Sequence, residues 1–163
     1  MIKLKKTLDN AAGKLCEVLF PIRHEYYIGK GKSVAICTLS SIDLLETIAN
    51  ADDIMSRILI VGRLLSENKG LDTLVNFTLN HPAMSQIIVC GKEVKGHRTG
   101  QALLSLHRNG ASPDGRIIEA VGPYPFLTCG RSDVESFRSQ TSIYDLTDCE
   151  DLETIKTVIS NFY

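Results

Sequence analysis

Residues 91–101 read Gly-Lys-Glu-Val-Lys-Gly-His-Arg-Thr-Gly-Gln, which sets His97 in a turn with Gly96 before it and Gly100 shortly after. The run before the turn, 86–90, is short, rich in isoleucine and valine, and closed by Gly91. From Thr99 onward, Leu103, Leu104 and Leu106 recur at helical spacing. A loop that follows the carboxyl end of a strand borders the ligand crevice of an open α/β sheet, so an imidazole there is a candidate metal ligand. Glycines on both sides let a bulky planar ligand approach the backbone. The plainer alternative is a capping or surface histidine. Zinc hydrolysis fits poorly, because His97 and His107 are ten residues apart with no third ligand at helical spacing. His24 and His81 read as loop residues.

The five cysteines, Cys16, Cys37, Cys90, Cys129 and Cys149, are odd in number and widely separated, with no C-x-x-C pair. They read as reduced thiols. Cys37 and Cys90 fall inside apolar runs and are expected in the core, whereas Cys129 follows a proline-rich loop.

The elements that must position His97 follow from periodicity. Strands are expected at 33–39, 58–62, 86–90, 116–120 and 142–146, and helices at 43–50, 71–80, 99–109, 132–140 and 150–160. Asn80-His81-Pro82, Asn109-Gly110 and Pro113-Asp114-Gly115 punctuate the alternation. The fold class is therefore α/β: a Rossmann-like three-layer sandwich of about five mostly parallel strands with helices on both faces. Residues 3–19 read as an amphipathic helix, with Leu4, Leu8, Ala11 and Leu15 on one face.

With 163 residues the chain is expected to form a single domain, 1–163. Its 18 Lys plus Arg against 19 Asp plus Glu give a net charge of -1, which offers no electrostatic case for nucleic acid or an anionic membrane surface. The longest apolar stretches fall far short of the roughly 20 residues of a membrane helix. Asp9, Asn10 and Gly13 interrupt any signal-peptide core, so a cytoplasmic location is expected.

Several segments together carry a resemblance. They are 87–101 and Leu106-His-Arg-Asn-Gly110, then Gly115-Arg-Ile-Ile118, Gly122-Pro-Tyr-Pro-Phe126 and Tyr144-Asp-Leu-Thr-Asp148. Upstream, Phe20-Pro to Gly29, Ser33-Val-Ala-Ile-Cys-Thr-Leu39 and Ser66-Glu-Asn-Lys-Gly-Leu71 follow the same order. Over roughly 20–151 the chain resembles the corrinoid-binding A-subunit of tetrahydromethanopterin S-methyltransferase. The resemblance implies a methyl carrier of methanogenesis and one-carbon metabolism that binds a cobamide, that is, cobalamin or a related corrinoid. In that family a methyl group passes from methyl-tetrahydromethanopterin to coenzyme M by way of Co(I) and methyl-Co(III), and the motif histidine is the lower axial ligand of cobalt. That role carries over to His97. The implied partners are methyl-donor and methyl-acceptor proteins or other methyltransferase subunits.

The better-known B12 motif, Asp-x-His-x-x-Gly, hydrogen-bonds the ligand histidine to the aspartate. Here the position two before His97 is Lys95, which has no acceptor, so the carboxylate must come from elsewhere. Glu67 is the candidate, because it follows the second strand as His97 follows the third. The alternative for Glu67 is an acid at a helix N-terminus, and Glu93 is the other carboxylate to weigh. Around the ring the expected contacts are Thr38, Leu39 and Ser40; Ser66 and Asn68; Lys95, Gly96, Thr99, Gly100 and Gln101; and Gly122, Pro123, Tyr124 and Pro125.

The family's membrane-bound members carry a C-terminal apolar anchor. None follows Asn161-Phe162-Tyr163, so a soluble homologue or soluble domain is expected. Leu64-Leu65 also stands where relatives carry smaller or polar residues. Two other readings remain. A nucleotide-binding enzyme lacks its glycine-rich loop, since Thr38-Leu-Ser-Ser41 follows the first strand. A non-catalytic scaffold would have no need of His97 with its two glycines.

Overall fold

The computed structural model describes residues 25–163; the expected helix at 3–19, Cys16 and His24 lie outside them. The strands are β1 (Tyr26–Ile28), β2 (Val34–Cys37), β3 (Ile60–Gly62), β4 (Gln86–Gly91) and β5 (Ser142–Thr147). The helices are α1 (Ile42–Ala49), α2 (Asp52–Met55), α3 (Lys69–Asn80), α4 (Thr99–Asn109), α5 (Arg131–Gln140) and α6 (Leu152–Ser160). The sheet order is β1-β3-β2-β4-β5, parallel except for β1, which runs antiparallel to β3.

Central strands buried on both faces must be apolar throughout, and β2 and β4 are. All four residues of β2 are buried, as are the last five of β4. Their alternate side chains feed two cores. Ala35, Cys37, Ile87 and Val89 pack against Leu71 and Val75 of α3, Leu103 and Leu106 of α4, and Phe137 of α5. Val34, Ile36, Ile88 and Cys90 meet Leu45 and Ile48 of α1, Ile54 of α2 and Ile155 of α6 on the other side. This is the expected α/β sheet with helices on both faces.

Two expectations about strands are corrected. Residues 116–120 make only isolated antiparallel bridges, Ala111 to Ile117 and Arg116 to Phe126, within the loop from α4 to α5. Their backbone groups are used locally: Ile118 N–H donates to Gly110 and Ile117 N–H to Pro125. The left-handed φ of +65° at Glu119 then ends the extended run. The fifth strand is instead β1, whose three residues are too few for periodicity to register. The four-residue α2 escapes sequence reading for the same reason.

Cys37 and Cys90 lie in the core, and burial pushes both thiols up, Cys37 to about 12. Cys129 is half-buried, and burial together with the Asp72 carboxylate beside it raises its thiol to about 12. All three are protonated and poor nucleophiles at neutral pH. No helix among the described residues is long and apolar enough to cross a membrane.

Candidate functional site

The register Cys37 to Gly62 and Cys37 to Val89 brings the carboxyl ends of β2, β3 and β4 to one rim. The switch-point crevice between β2 and β4 is closed there by the protein itself. Gly91 adopts φ +74°, and a Cβ on it would lie 2.3 Å from the Thr38 carbonyl oxygen. Ser40 donates through Oγ to Lys92 O at 2.7 Å, and Lys92 N–H donates to Ser41 Oγ at 2.8 Å. Thr38 and Leu39 are fully buried. The Ser40 hydroxyl is therefore spent on closure, whereas Thr38 Oγ1 donates to Gly62 O at 3.5 Å and the Leu39 side chain joins the core.

The turn beyond carries His97 at its outer end. Gly96 has φ +83°, Arg98 has φ +53°, and Arg98 N–H returns to Val94 O at 2.9 Å. The His97 side chain is 54% exposed, and its Nδ1 lies 2.8 Å from Glu67 Oε2. Glu67 is only 1% exposed. Its other oxygen, Oε1, accepts Tyr124 N–H at 3.0 Å. Burial alone would raise this carboxyl, but its own backbone N–H, that of Tyr124 and His97 outweigh burial and hold it below the usual carboxylate range. An ionised carboxylate only accepts, so Nδ1 bears a proton, and in the neutral ring Nε2 presents a lone pair. No described residue hydrogen-bonds that Nε2.

Glu67 owes its position to the start of α3. Ser66 Oγ accepts Gly70 N–H at 2.8 Å and Asn68 Oδ1 accepts Lys69 N–H at 2.6 Å, so both residues first expected at the ligand serve as caps. Gly122 lets the next loop close over Glu67, since a Cβ there would sit 2.4 Å from His97 O and 3.0 Å from Glu67 Cγ. Gln101 grips the same loop, donating to Glu119 O at 2.9 Å and accepting Val121 N–H at 3.1 Å. Pro123 and Tyr124 are exposed and Pro125 is buried, with the Tyr124 and Phe126 rings 5.0 Å apart.

Lys95 and Gly96 are exposed beside His97, and a Cβ on Gly96 would meet nothing within 4 Å. Thr99 is fully buried, its hydroxyl without a partner among the described residues. Gly100 does not make room for a ligand; it packs against Glu93 and Leu39. Glu93 reaches no histidine, and its carboxylate instead accepts Val94, Gly100 and Gln101 N–H. Of the other histidines, His107 Nε2 pairs with Thr141 O at 2.8 Å and His81 Nδ1 with Phe77 O at 2.7 Å, both structural contacts. Among the described residues no three His, Cys, Asp or Glu side chains converge on a metal position. A groove of about 710 Å³ lies to one side, between β1, β3 and α3, and shares only Ser66 with the expected site.

Sequence reading misses Asp72. This α3 residue accepts Thr128 N–H, Thr128 Oγ and Cys129 N–H at 2.8–3.0 Å and anchors the far end of the loop. Burial raises its carboxyl, but these donors together hold it below the usual aspartate range. The available signal was an acid on the apolar face of α3, between Leu71 and Val75.

The family profile MtrA, which describes the A-subunit of tetrahydromethanopterin S-methyltransferase, matches residues 16–163. The A-subunit of that enzyme from Methanocaldococcus jannaschii is 38% identical over 138 residues, covering 83% of this chain and 55% of the relative. A-subunit 1 of the enzyme from Methanothermobacter marburgensis is 34% identical over 142 residues, 85% of this chain and 57% of the relative. The A-subunit of a putative methyltransferase, Mtx, from Methanosarcina acetivorans is 31% identical over 144 residues, 87% and 68% of the two chains. The chain thus spans between about half and two thirds of the length of these relatives, and it belongs to the MtrA family of tetrahydromethanopterin S-methyltransferase subunits.

Proposed function

We propose that this chain is a cobamide-binding methyl carrier, with His97 Nε2 as the axial ligand beneath cobalt and Glu67 as the acceptor that holds the opposite ring nitrogen. One observation carries the reading: an exposed imidazole whose Nδ1 is fixed by a buried carboxylate and whose Nε2 is claimed by no described residue. That donor set fits the group. A single imidazole cannot build a metal site alone, but His97 could hold a metal that a macrocyclic cofactor already carries. The open surface beside Gly96 suits a broad flat ligand better than an enclosed cavity would. When bound, the cobamide supplies the cobalt that accepts and releases the methyl group.

The protein's part is positional. Glu67 fixes the His97 tautomer and ring plane, so the Nε2 lone pair is directed without reorganisation. Its second bond, to Tyr124 N–H, ties the histidine to the Gly122–Phe126 loop, whose exposed Pro123 and Tyr124 flank the ligand face. Methyl donor and acceptor reach this open face on other proteins, in keeping with relatives that are named as subunits.

The test is anaerobic reconstitution with cob(III)alamin, followed by gel filtration and a visible spectrum, beside His97→Ala. Stoichiometric co-elution with a spectral shift lost in His97→Ala is the expected result. Either no retained corrinoid or the same shift in both proteins overturns the assignment, and the first would favour a scaffold.

A further inference from the structure

We propose that Glu93 is the positioning residue that sets the turn carrying His97 and, through that turn, the aim of the imidazole. Its consequence for a bound corrinoid rests on the reading above; its geometry does not.

The first N–H groups of a helix lack intrahelical acceptors, and a side chain just before the helix usually supplies one. For α4 the cap residue is Arg98, which has no acceptor and makes no side-chain capping bond. Glu93 takes over from five residues further back. Its Oε1 accepts Val94 N–H at 2.7 Å and Gly100 N–H at 2.9 Å, and its Oε2 accepts Gln101 N–H at 2.9 Å. One carboxylate thus joins the residue entering the turn to the two residues leaving it, with His97 at the apex. The negative charge also lies at the favourable end of the α4 dipole.

Glu93 is itself held, since its N–H donates to Asp148 Oδ1 at 3.0 Å. The fit of the carboxylate explains Gly100, because a Cβ there would lie 2.9 Å from Glu93 Oε2 and 3.0 Å from Leu39 Cδ1. Glu93 and Gly100 are therefore a matched pair. The duty of a single aspartate is divided here: Glu67 holds the ring and Glu93 holds the loop.

The experiment compares the parent with Glu93→Ala, Glu93→Gln and a control, Asp151→Ala. The control removes the cap that accepts Thr154 N–H at 2.9 Å on α6, remote in sequence from the turn. Long-range proton–nitrogen NMR of the ligand-free protein, with the ring neutral, reads the His97 tautomer, and amide exchange reads Gly100 and Gln101. The parent should show the Nδ1–H form. In Glu93→Ala the His97 ring should become a mixture of tautomers and the two amides should exchange at least about tenfold faster. Glu93→Gln, with one acceptor oxygen for three donors, should fall between. Asp151→Ala should lower the melting temperature yet leave His97 unchanged.

With cob(III)alamin as probe, the His97-dependent shift should need roughly tenfold more Glu93→Ala protein than parent. A folded Glu93→Ala protein with the parent's His97 tautomer would overturn the proposal, as would a control that disturbs His97 equally. If Glu93→Ala fails to fold, Glu93→Gln decides by the same readings. If the parent retains no corrinoid, the cobamide reading fails alone, and the ligand-free NMR still decides Glu93.

Discussion

Replacing Glu67 by glutamine tests the centre of the site with almost no change of shape. The carboxylate is 1% exposed and accepts, besides its own backbone N–H, His97 Nδ1–H at 2.8 Å and Tyr124 N–H at 3.0 Å. Glutamine offers one acceptor and one donor, so while Nδ1 keeps its proton either orientation sets a donor against a donor. One bond falls from charged to neutral, a loss of about 1 kcal/mol, and one is lost with a buried group unsatisfied, about 1–3 kcal/mol more. Relief of the buried charge offsets part of this, which leaves a destabilisation of about 2 kcal/mol, readable as a shift in the urea midpoint at constant slope. The two orientations have different signatures. With the amide oxygen on His97 the tautomer survives, but the Tyr124 amide loses protection. With the oxygen on Tyr124, Nδ1 must become an acceptor, the proton moves to Nε2, and the lone pair offered to a metal is gone. Corrinoid ligation would then weaken by about 10–100-fold or vanish. A Glu67→Gln protein with unchanged stability, His97 tautomer and Tyr124 exchange would refute the argument.

Two further changes probe the loop that closes over this pair. Gly122→Ala would place a Cβ 2.4 Å from the His97 carbonyl, where only backbone movement can relieve the contact, so a loss of about 2–3 kcal/mol in denaturant unfolding and weaker His97-dependent ligation are expected. Parent-like behaviour in both assays would mean that the loop does not pack on the turn. Asp72→Asn should cost about 2–3 kcal/mol at neutral pH, because an amide cannot accept all three Thr128 and Cys129 donors. The Asp72 carboxyl is depressed in the folded protein, so its contribution is full above the ordinary aspartate pKa of about 3.9 and is lost as pH falls through the folded value. The gap between parent and Asp72→Asn should therefore narrow in acid; a gap independent of pH would show that the charge is not what holds the loop.

Much of the fold can be read from the chain because β2, β4 and α4 obey their periods without interruption, and α4 runs from Thr99 to Asn109 as the spacing requires. Ile117 and Ile118 also have the composition of a strand, but only the structure shows their N–H groups going to Pro125 and Gly110. At the site, Glu67 was legible through topology, since its loop and that of His97 leave one rim from β3 and β4, the two strands that flank β2. Thr38, Leu39 and Ser40 stand at the same rim, yet Thr38 Oγ1 turns to Gly62 O, Leu39 enters the core, and of the three side chains only that of Ser40 ties β2 to the segment after β4. Position at a rim is written in strand order, whereas the direction of a side chain depends on contacts made across 50 or more residues, such as Ser40 to Lys92.

The loops around His97 share one physical problem and one answer to it. Glycines and prolines give them their shapes, but irregular backbone leaves N–H groups without ladder partners, and buried ones must be satisfied. Three carboxylates meet that demand: Glu93 for the histidine turn and the start of α4, Asp72 for Thr128 and Cys129, and Glu67 for Tyr124. Of these three, only Glu67 also binds the His97 ring, which makes it the acid through which the state of that ring reaches the Gly122–Phe126 loop. Any change that withdraws the Nδ1 proton from Glu67 leaves that carboxylate to the N–H groups of Tyr124 and of Glu67 itself. Coupling between ring and loop therefore needs no moving helix or hinge; it requires only that Glu67 remain buried and charged.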